Sequence, residues 1–477
     1  MLKESEYKEV CNICDKILLE NISNYRVAND WLHVIRPHPI YLYRYLPVIR
    51  SNNILFFYKI LVNGIKYCIH ILITLFKSII KIKHHTPIID SNIQTIFFSH
   101  LLNKNQLNED LDFYFNKIPK IFDNEKASLR ILLNHTRGNY SKINNIQNTV
   151  IIPETLSFIQ ELTISFKLLK DSLKIISLRN NLKYRLMASV EALSPATHRN
   201  IRIGVFTKRL LKSNKIKYLF TTYEGHAWER LVYGLFKQHN KNILNIGYQH
   251  AFFFKGQHSI SRKLNYEFDP DYILCSGEKS YKKFLNIDFI EKHKLILFGS
   301  DKVNHENKVH IKNKNTDTFL ILPEGDLIEC LPLVDLAISL ATNYKKYKFI
   351  FRIHPITDKK RLVINRPILN KPPFNFEFSN MEFDYDLDRS NHAIYRGSTS
   401  IISAIQRGLT PIYFHRENQI DVNPLHELNE KIFNISCSDD LTRVLLNIRK
   451  YDIKTIQNDI YKYFSPIDFF KLNNLTN

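Results

Sequence analysis

The sequence predicts an α/β protein with two Rossmann-like units facing a cleft, preceded by an N-terminal helical segment. Three observations predict it. From residue 92 onward, short apolar runs alternate with helical patterns, which is the signature of parallel sheets covered by helices. A charged, Asn/Lys-rich stretch at 302–317 interrupts the alternation once and has the composition of a linker. The chain has 477 residues, 44% of them hydrophobic, which is too long for one ordinary domain and apolar enough for more than one core. The expected division is therefore 1–91 helical, 92–301 first Rossmann-like domain, 302–317 linker, and 318–477 second Rossmann-like domain with a C-terminal helix.

In the first segment, residues 54–82 read ILFFYKILVNGIKYCIHILITLFKSIIKI. Lysines make a spanning helix costly, at roughly 3 kcal/mol each in hydrocarbon. Lys59, Asn63, Lys66, His70, Thr74, Lys77 and Lys81 recur at steps of four and three, one polar stripe on a helix. Two readings follow. The helix lies in a membrane interface with Lys59, Lys66, Lys77 and Lys81 toward anionic headgroups, or it is a core helix whose stripe reaches solvent.

In the first alternating unit, strands are expected at Ile93–Ser99, Leu129–Asn134 and Thr149–Ile152, then a mostly helical stretch over 155–192. Tyr218–Thr222, Ile243–Tyr248, Asp271–Cys275 and Leu295–Phe298 follow as strands, with a helix at Ala227–Gln238. In the second unit, strands are expected at Thr318–Pro323, Lys348–His354, His392–Arg396, Thr410–His415 and Lys431–Ile435. Helices are expected at Leu327–Thr342, Thr399–Arg407 and Asp439–Arg449, with Gly408 as a stop signal.

Ligands of such sheets sit outside the carboxyl ends of the strands, so residues just past each strand are the candidates. After KYLFTT come Glu224, Gly225 and His226. Glu224 is a candidate general base, or a carboxylate stabilised by the next helix's dipole. His226 is a second candidate base or a phosphate ligand. His250 follows the next strand. Gly299 and Ser300 follow KLILF as a ligand approach or an ordinary turn. Glu324 and Gly325 follow TFLIL and suit a base or ribose, or a helix cap. In FRIHP, Arg352, His354 and Pro355 end a strand; Arg352 suits a phosphate or pairs with Glu377 or Asp384. In YRGSTS, Gly397 permits a tight turn, and Ser398, Thr399 and Ser400 supply hydroxyls and amides for a phosphate, or simply an N-cap.

Composition narrows the partners. The net charge of +21 favours nucleic acid, an anionic membrane or anionic substrates. No zinc-finger spacing or RNP-type motif is present, which makes nucleic acid the weaker option. Six cysteines give no disulfide framework; Cys11 and Cys14 form one CxxC, which is weak evidence for zinc. The N-terminus has no apolar signal core, so a reducing, cytoplasmic compartment is expected. No convincing metal-binding D-x-D is seen; Asp384-Tyr385-Asp386 has the spacing but is expected in a loop.

Glu224-Gly225, His354-Pro355 and Ser398-Thr399, in that order, resemble the motifs of bacterial GT-B sialyltransferases, polysialyltransferases and related nonulosonate transferases. The resemblance covers roughly 215–437. It implies that 92–301 is the acceptor domain and 318–477 the nucleotide-sugar domain. Glu224 would deprotonate the acceptor hydroxyl, His354 would contact the CMP phosphate, and Ser398 and Thr399 would hold it. The donor would be a CMP-activated acidic sugar, used without a metal or other cofactor, with inversion. The product would be a capsule or lipopolysaccharide glycan, made peripherally on the inner face of the cell membrane from a glycan or lipid-linked acceptor. Tyr223 departs from the family's pattern, standing where its first acid would be. GYQHAFF and LILFGS also look like capsule Kdo transferases and CDP-glycerol polymer transferases. A CDP-glycerol or UDP-sugar polymer transferase, or a non-catalytic membrane-associated relative, are the alternatives.

Overall fold

The computed structural model describes residues 4–34, 42–80, 92–107, 111–123, 128–136, 148–179, 181–211, 215–251, 253, 259–260, 262–301, 317–355, 357–417 and 419–476. Lys81 and nearly all of the expected linker lie outside them.

Thirteen strands among these residues form two parallel sheets. The first sheet contains β1 (Thr95–Leu101), β2 (Ser128–Asn134), β3 (Thr149–Ile151), β4 (Tyr218–Thr222), β5 (Leu244–Gln249), β6 (Tyr272–Cys275) and β7 (Leu295–Leu297). Their order is β3-β2-β1-β4-β5-β6-β7. The second contains β8 (Thr318–Leu322), β9 (Lys348–Phe351), β10 (Phe376–Phe378), β11 (His392–Tyr395), β12 (Thr410–Phe414) and β13 (Phe433–Ile435), ordered β10-β9-β8-β11-β12-β13. Each sheet runs outward from its first strand, then returns and runs the other way. That is the doubly wound order, and its reversal points lie between β1 and β4 and between β8 and β11. Two such units in one chain match the expected GT-B architecture. β10 was not expected; it is three residues long and follows Pro372-Pro373.

The strands are near-continuous apolar runs because both faces are covered: every residue of β8, β11 and β12 is buried. Helices Leu327–Asn343 and Asp440–Ile448 pack on one face of the second sheet, and Ile401–Gln406 and Ile453–Ile460 on the other.

The described residues of 1–91 do not form a core of their own. Trp31, Val27 and Phe56 are buried together with Ile164, Leu168, Met187, Leu231 and Leu235, which come from the helices inside and beside the first sheet's long crossover. That crossover, from β3 to β4, contains helices Phe158–Ile176, Leu182–Glu191 and Pro195–Leu210.

The C-terminal helix also sits away from its expected unit. Phe469–Thr476 packs on the first sheet, where Leu472 is buried with Phe97, Phe220 and Phe298. The chain returns through Ser465 and Asp468, whose amides donate to Ser276 O (2.9 Å) and Phe298 O (2.8 Å).

Helix Asn53–Ile80 spans the predicted apolar stretch. Its polar stripe is shared between protein and solvent, with Lys66 and Lys77 exposed. Thr74 is buried and His70 is half-buried, Lys59 donates to Pro47 O (2.9 Å), and Lys77 pairs with Glu154 (3.3 Å). The stripe lies toward and beside the protein, and the apolar side faces outward.

Candidate functional site

Two groups of titratable side chains collect at the carboxyl edges of the sheets, each beside a reversal point. In the first domain the turn after β4 carries Glu224 and His226. Their carboxylate and imidazole meet at 2.9 Å, and His250, just past β5, approaches the other carboxylate oxygen at 3.7 Å. The backbone of this turn is clamped from two sides. Glu229, in the first turn of helix Ala227–His239, accepts the amides of Gly225 (2.7 Å), His226 (2.9 Å) and Glu224 (3.1 Å). Ser259 Oγ donates to Glu224 O at 2.7 Å. Gly225 has φ +80 and lies against the Ser259 backbone, so no side chain fits there.

Two histidines at the ends of neighbouring strands extend this group. His100, near the end of β1, is 2.9 Å from His135, just past β2, and 3.0 Å from Thr222 Oγ1. The Tyr114 ring lies 4.6 Å from His250 and 5.2 Å from His100. Sequence reasoning missed His100, His135 and Tyr114. The two histidines carried the signal used for His250, since each directly follows an expected apolar strand, Ile93–Ser99 or Leu129–Asn134.

The charges sort by surroundings. Burial opposes ionisation of Glu224, but the His226 hydrogen bond and the charges of His250 and His226 outweigh it and hold the carboxyl below its usual range. Burial opposes a charge on His226, yet the bond to Glu224 raises it to about 9. The two form an ion pair at neutral pH. Burial instead keeps His135 neutral, lowered to about 4, and lowers His100 as well.

Tyr223 points away from this group. It is buried, its hydroxyl reaches Ile260 O at 3.4 Å, and Arg230 lies 5.2 Å from its ring. Position 223 is a core position here. Arg230 in turn is taken up by Asp269 and the Ser259 and Arg262 carbonyls.

In the second domain, the turns after β8, β9 and β11 interlock. A Cβ on Gly397 would overlap the Glu324 carboxyl, and one on Gly325 would lie 2.9 Å from His354 Nδ1. Thr357 ties two of the turns together, with its amide on His354 O (2.8 Å) and its hydroxyl on Gly325 O (3.1 Å). Glu324, Gly325, His354 and Gly397 are thus brought together, and Ser398, Thr399 and Ser400 follow directly. Pro355 is exposed beside them. Burial and the nearby Glu329 push the Glu324 carboxyl up to about 8, and burial lowers the His354 imidazole.

Other residues of these motifs are held by structural partners. Arg352 pairs with Asp386 (2.7 Å), not Glu377 or Asp384, and donates to Met381 O. Asp386 is in helix Phe383–Asp388 rather than a loop, and it also takes Arg389 at 2.7 Å, so Asp384-Tyr385-Asp386 is a structural turn of helix. Ser300 is buried under the returning chain, its amide donating to Ser465 O at 2.8 Å. The arginine of YRGSTS, Arg396, is buried on Glu329 at 2.5 Å. Among the described residues no group of three or more His, Cys, Asp or Glu side chains is arranged to hold a metal ion. Cys11 and Cys14 are both buried in the N-terminal helical core.

No family model matches the chain, and no curated protein sequence matches it. Among solved structures, it is similar to the UDP-GlcNAc 2-epimerase of Methanocaldococcus jannaschii in complex with UDP-GlcNAc and UDP. That likeness has 11% identity and a TM-score of 0.47, over 76% of this chain and 94% of that one. It is similar to the wall teichoic acid polymerase TagF at 13% identity and a TM-score of 0.43, over 87% and 96%. The lipopolysaccharide outer core galactosyltransferase WaaB gives 10% and 0.44, over 80% and 98%. The fold assignment rests on the strand order of the two sheets.

Proposed function

We propose that this chain is a glycosyltransferase that moves a sugar from a nucleotide-activated donor to a surface-glycan acceptor, with a CMP-activated acidic sugar as the donor. One observation carries the reading. An ionised carboxylate flanked by histidines stands at the reversal point of one doubly wound sheet, and an interlocked Glu324–His354–Gly397 group stands at that of the other. The first suits a hydroxyl nucleophile and the second a nucleotide phosphate.

In the step this assigns, the acceptor oxygen attacks the anomeric carbon and its proton passes to Glu224. The bond from that carbon to the donor phosphate breaks, and CMP departs with the bonding pair. His354 donates a hydrogen bond to the departing phosphate, beside the Ser398 and Thr399 amides and hydroxyls. His226 and His250 hold and orient the Glu224 carboxylate. Because the Glu224–His226 pair is ionised at rest, the base is ready without a prior proton loss.

The test is a donor panel with purified protein: CMP-sialic acid, CMP-Kdo, CDP-glycerol and UDP-GlcNAc, reading nucleotide release and glycan extension. The expected result is CMP release, falling by about 100-fold or more in Glu224→Gln and in His354→Ala, the usual size of a lost acid or base. Full activity in both variants overturns the role assignment. Turnover of CDP-glycerol alone makes the chain a polymer transferase. A melting temperature that no nucleotide raises removes the enzyme reading altogether.

A further inference from the structure

Helix Asn53–Ile80 touches the rest of the protein along one line, burying Phe56, Ile60, Thr74 and Ser78. At 100° per residue, the opposite side carries Ile54, Leu61, Ile65, Leu72, Phe76 and Ile80, which are 52–84% exposed. Helix Phe158–Ile176 repeats the arrangement. Ile164, Leu168 and Ile175 point inward, while Ile159 (73%), Phe166 (64%) and Leu173 (60%) are exposed. The two helices pack on each other and run antiparallel. Lys77 meets Glu154 where the first ends and the second begins, and Lys183, just past the second, donates to Ser51 O (2.9 Å) where the first begins. Their outer sides therefore form one apolar surface, far larger than scattered exposed side chains.

Each helix carries a lysine row between its buried and its exposed apolar side. Lys66 and Lys77 are exposed on the first, and Lys167, Lys170 and Lys174 on the second. An apolar surface edged by lysines complements the acyl–headgroup boundary of an anionic bilayer. A second copy of the chain docked on the same surface by twofold symmetry would bring like-charged rows together.

The first helix is long and apolar enough to cross a membrane, but its attachments forbid it. The helix beside it is pinned by Glu161 to His198 (2.8 Å) and Arg202 (2.6 Å). Crossing would drag that charged cluster into hydrocarbon.

We infer that helices Asn53–Ile80 and Phe158–Ile176 together form a docking surface that lies flat on a bilayer containing anionic lipid. The inference stands apart from the transferase reading and concerns a different face of the first domain. The role of Phe158–Ile176 distinguishes it from a single sticky helix.

The test is co-sedimentation of the full chain with phosphatidylcholine vesicles, with and without phosphatidylglycerol. The expected result is binding to the mixed vesicles, reduced at least about tenfold by Phe166→Gln with Leu173→Gln, as by Leu72→Gln with Phe76→Gln, from the apolar area lost. Melting temperatures stay unchanged, since all four side chains are exposed. Lys170→Glu with Lys174→Glu weakens binding to the mixed vesicles by roughly fivefold per charge removed and leaves binding to neutral vesicles unchanged. Wild-type binding by the Phe166/Leu173 variant overturns the proposal. So does a dimer closed through this surface that ignores vesicles.

Discussion

Glu224 and Glu324 both follow the strand that borders a reversal point, yet their neighbours drive them apart. Glu224 faces histidines and stays ionised. Glu324 faces Glu329 and a dry turn, and holds its proton up to about 8. A pair separated in this way is how one protein keeps a base and a neutral donor at the same pH. The consequence is a pH dependence with a fixed sign. Below about 8, Glu324 is neutral and tolerates an anionic phosphate; above it, a second negative charge appears. CMP affinity measured by calorimetry is expected to fall between pH 7 and 9 by about tenfold, a penalty of 1.4 kcal/mol. Glu324→Gln, neutral throughout, should flatten the profile. A wild-type profile that is already flat removes Glu324 from the nucleotide site.

At the scale of elements, the strand ends were legible because parallel strands buried on both faces read as apolar runs, and the rule that ligands gather past their carboxyl ends needs no tertiary information. That rule reached Glu224, His250, Glu324 and His354. It would have reached His100 and His135 had it been applied to every strand. What it lacked was the partner of each charge. The sequence offers Arg352 the carboxylates Glu377 and Asp384, and only packing shows that Asp386 holds it and that Glu329 holds Arg396. The lysine stripe shows the same limit: periodicity places the polar residues on one side of a helix but does not say which side meets the protein. The turn bearing Glu224 depends on Glu229, an element-level support that its sequence position, three residues into a helix, already suggests. Replacing Glu229 with Ala leaves three backbone amides without their acceptor. Thermal or urea unfolding should show a loss of about 1–3 kcal/mol, along with reduced turnover. An unchanged stability would mean that the clamp is dispensable.

Across the whole molecule, the second sheet's unit is joined to the first by more than the segment between them. Lys279 pairs with Glu427 at 2.6 Å, and the returning chain runs against Gly299, whose φ of +107 and close approach to Pro466 leave no room for a side chain. Leu472 then fills the first sheet's core. Leu472→Ala is expected to cost about 2–5 kcal/mol, the range for a fully buried leucine, and to lower the unfolding transition of the first domain. Loss confined to the second domain's transition would contradict the packing. No pattern in the sequence announces this return, because Phe469–Thr476 is a short helix whose apolar residues fit either sheet.

The returning segment also bears on how the protein is made. Phe97 and Phe220 reach the ribosome's exit long before Leu472, and the entire second sheet is synthesised between them. The first domain therefore emerges with part of its core uncovered and cannot finish packing until residues 465–476 arrive. Such distant contacts slow folding and leave apolar surface open to chance partners meanwhile.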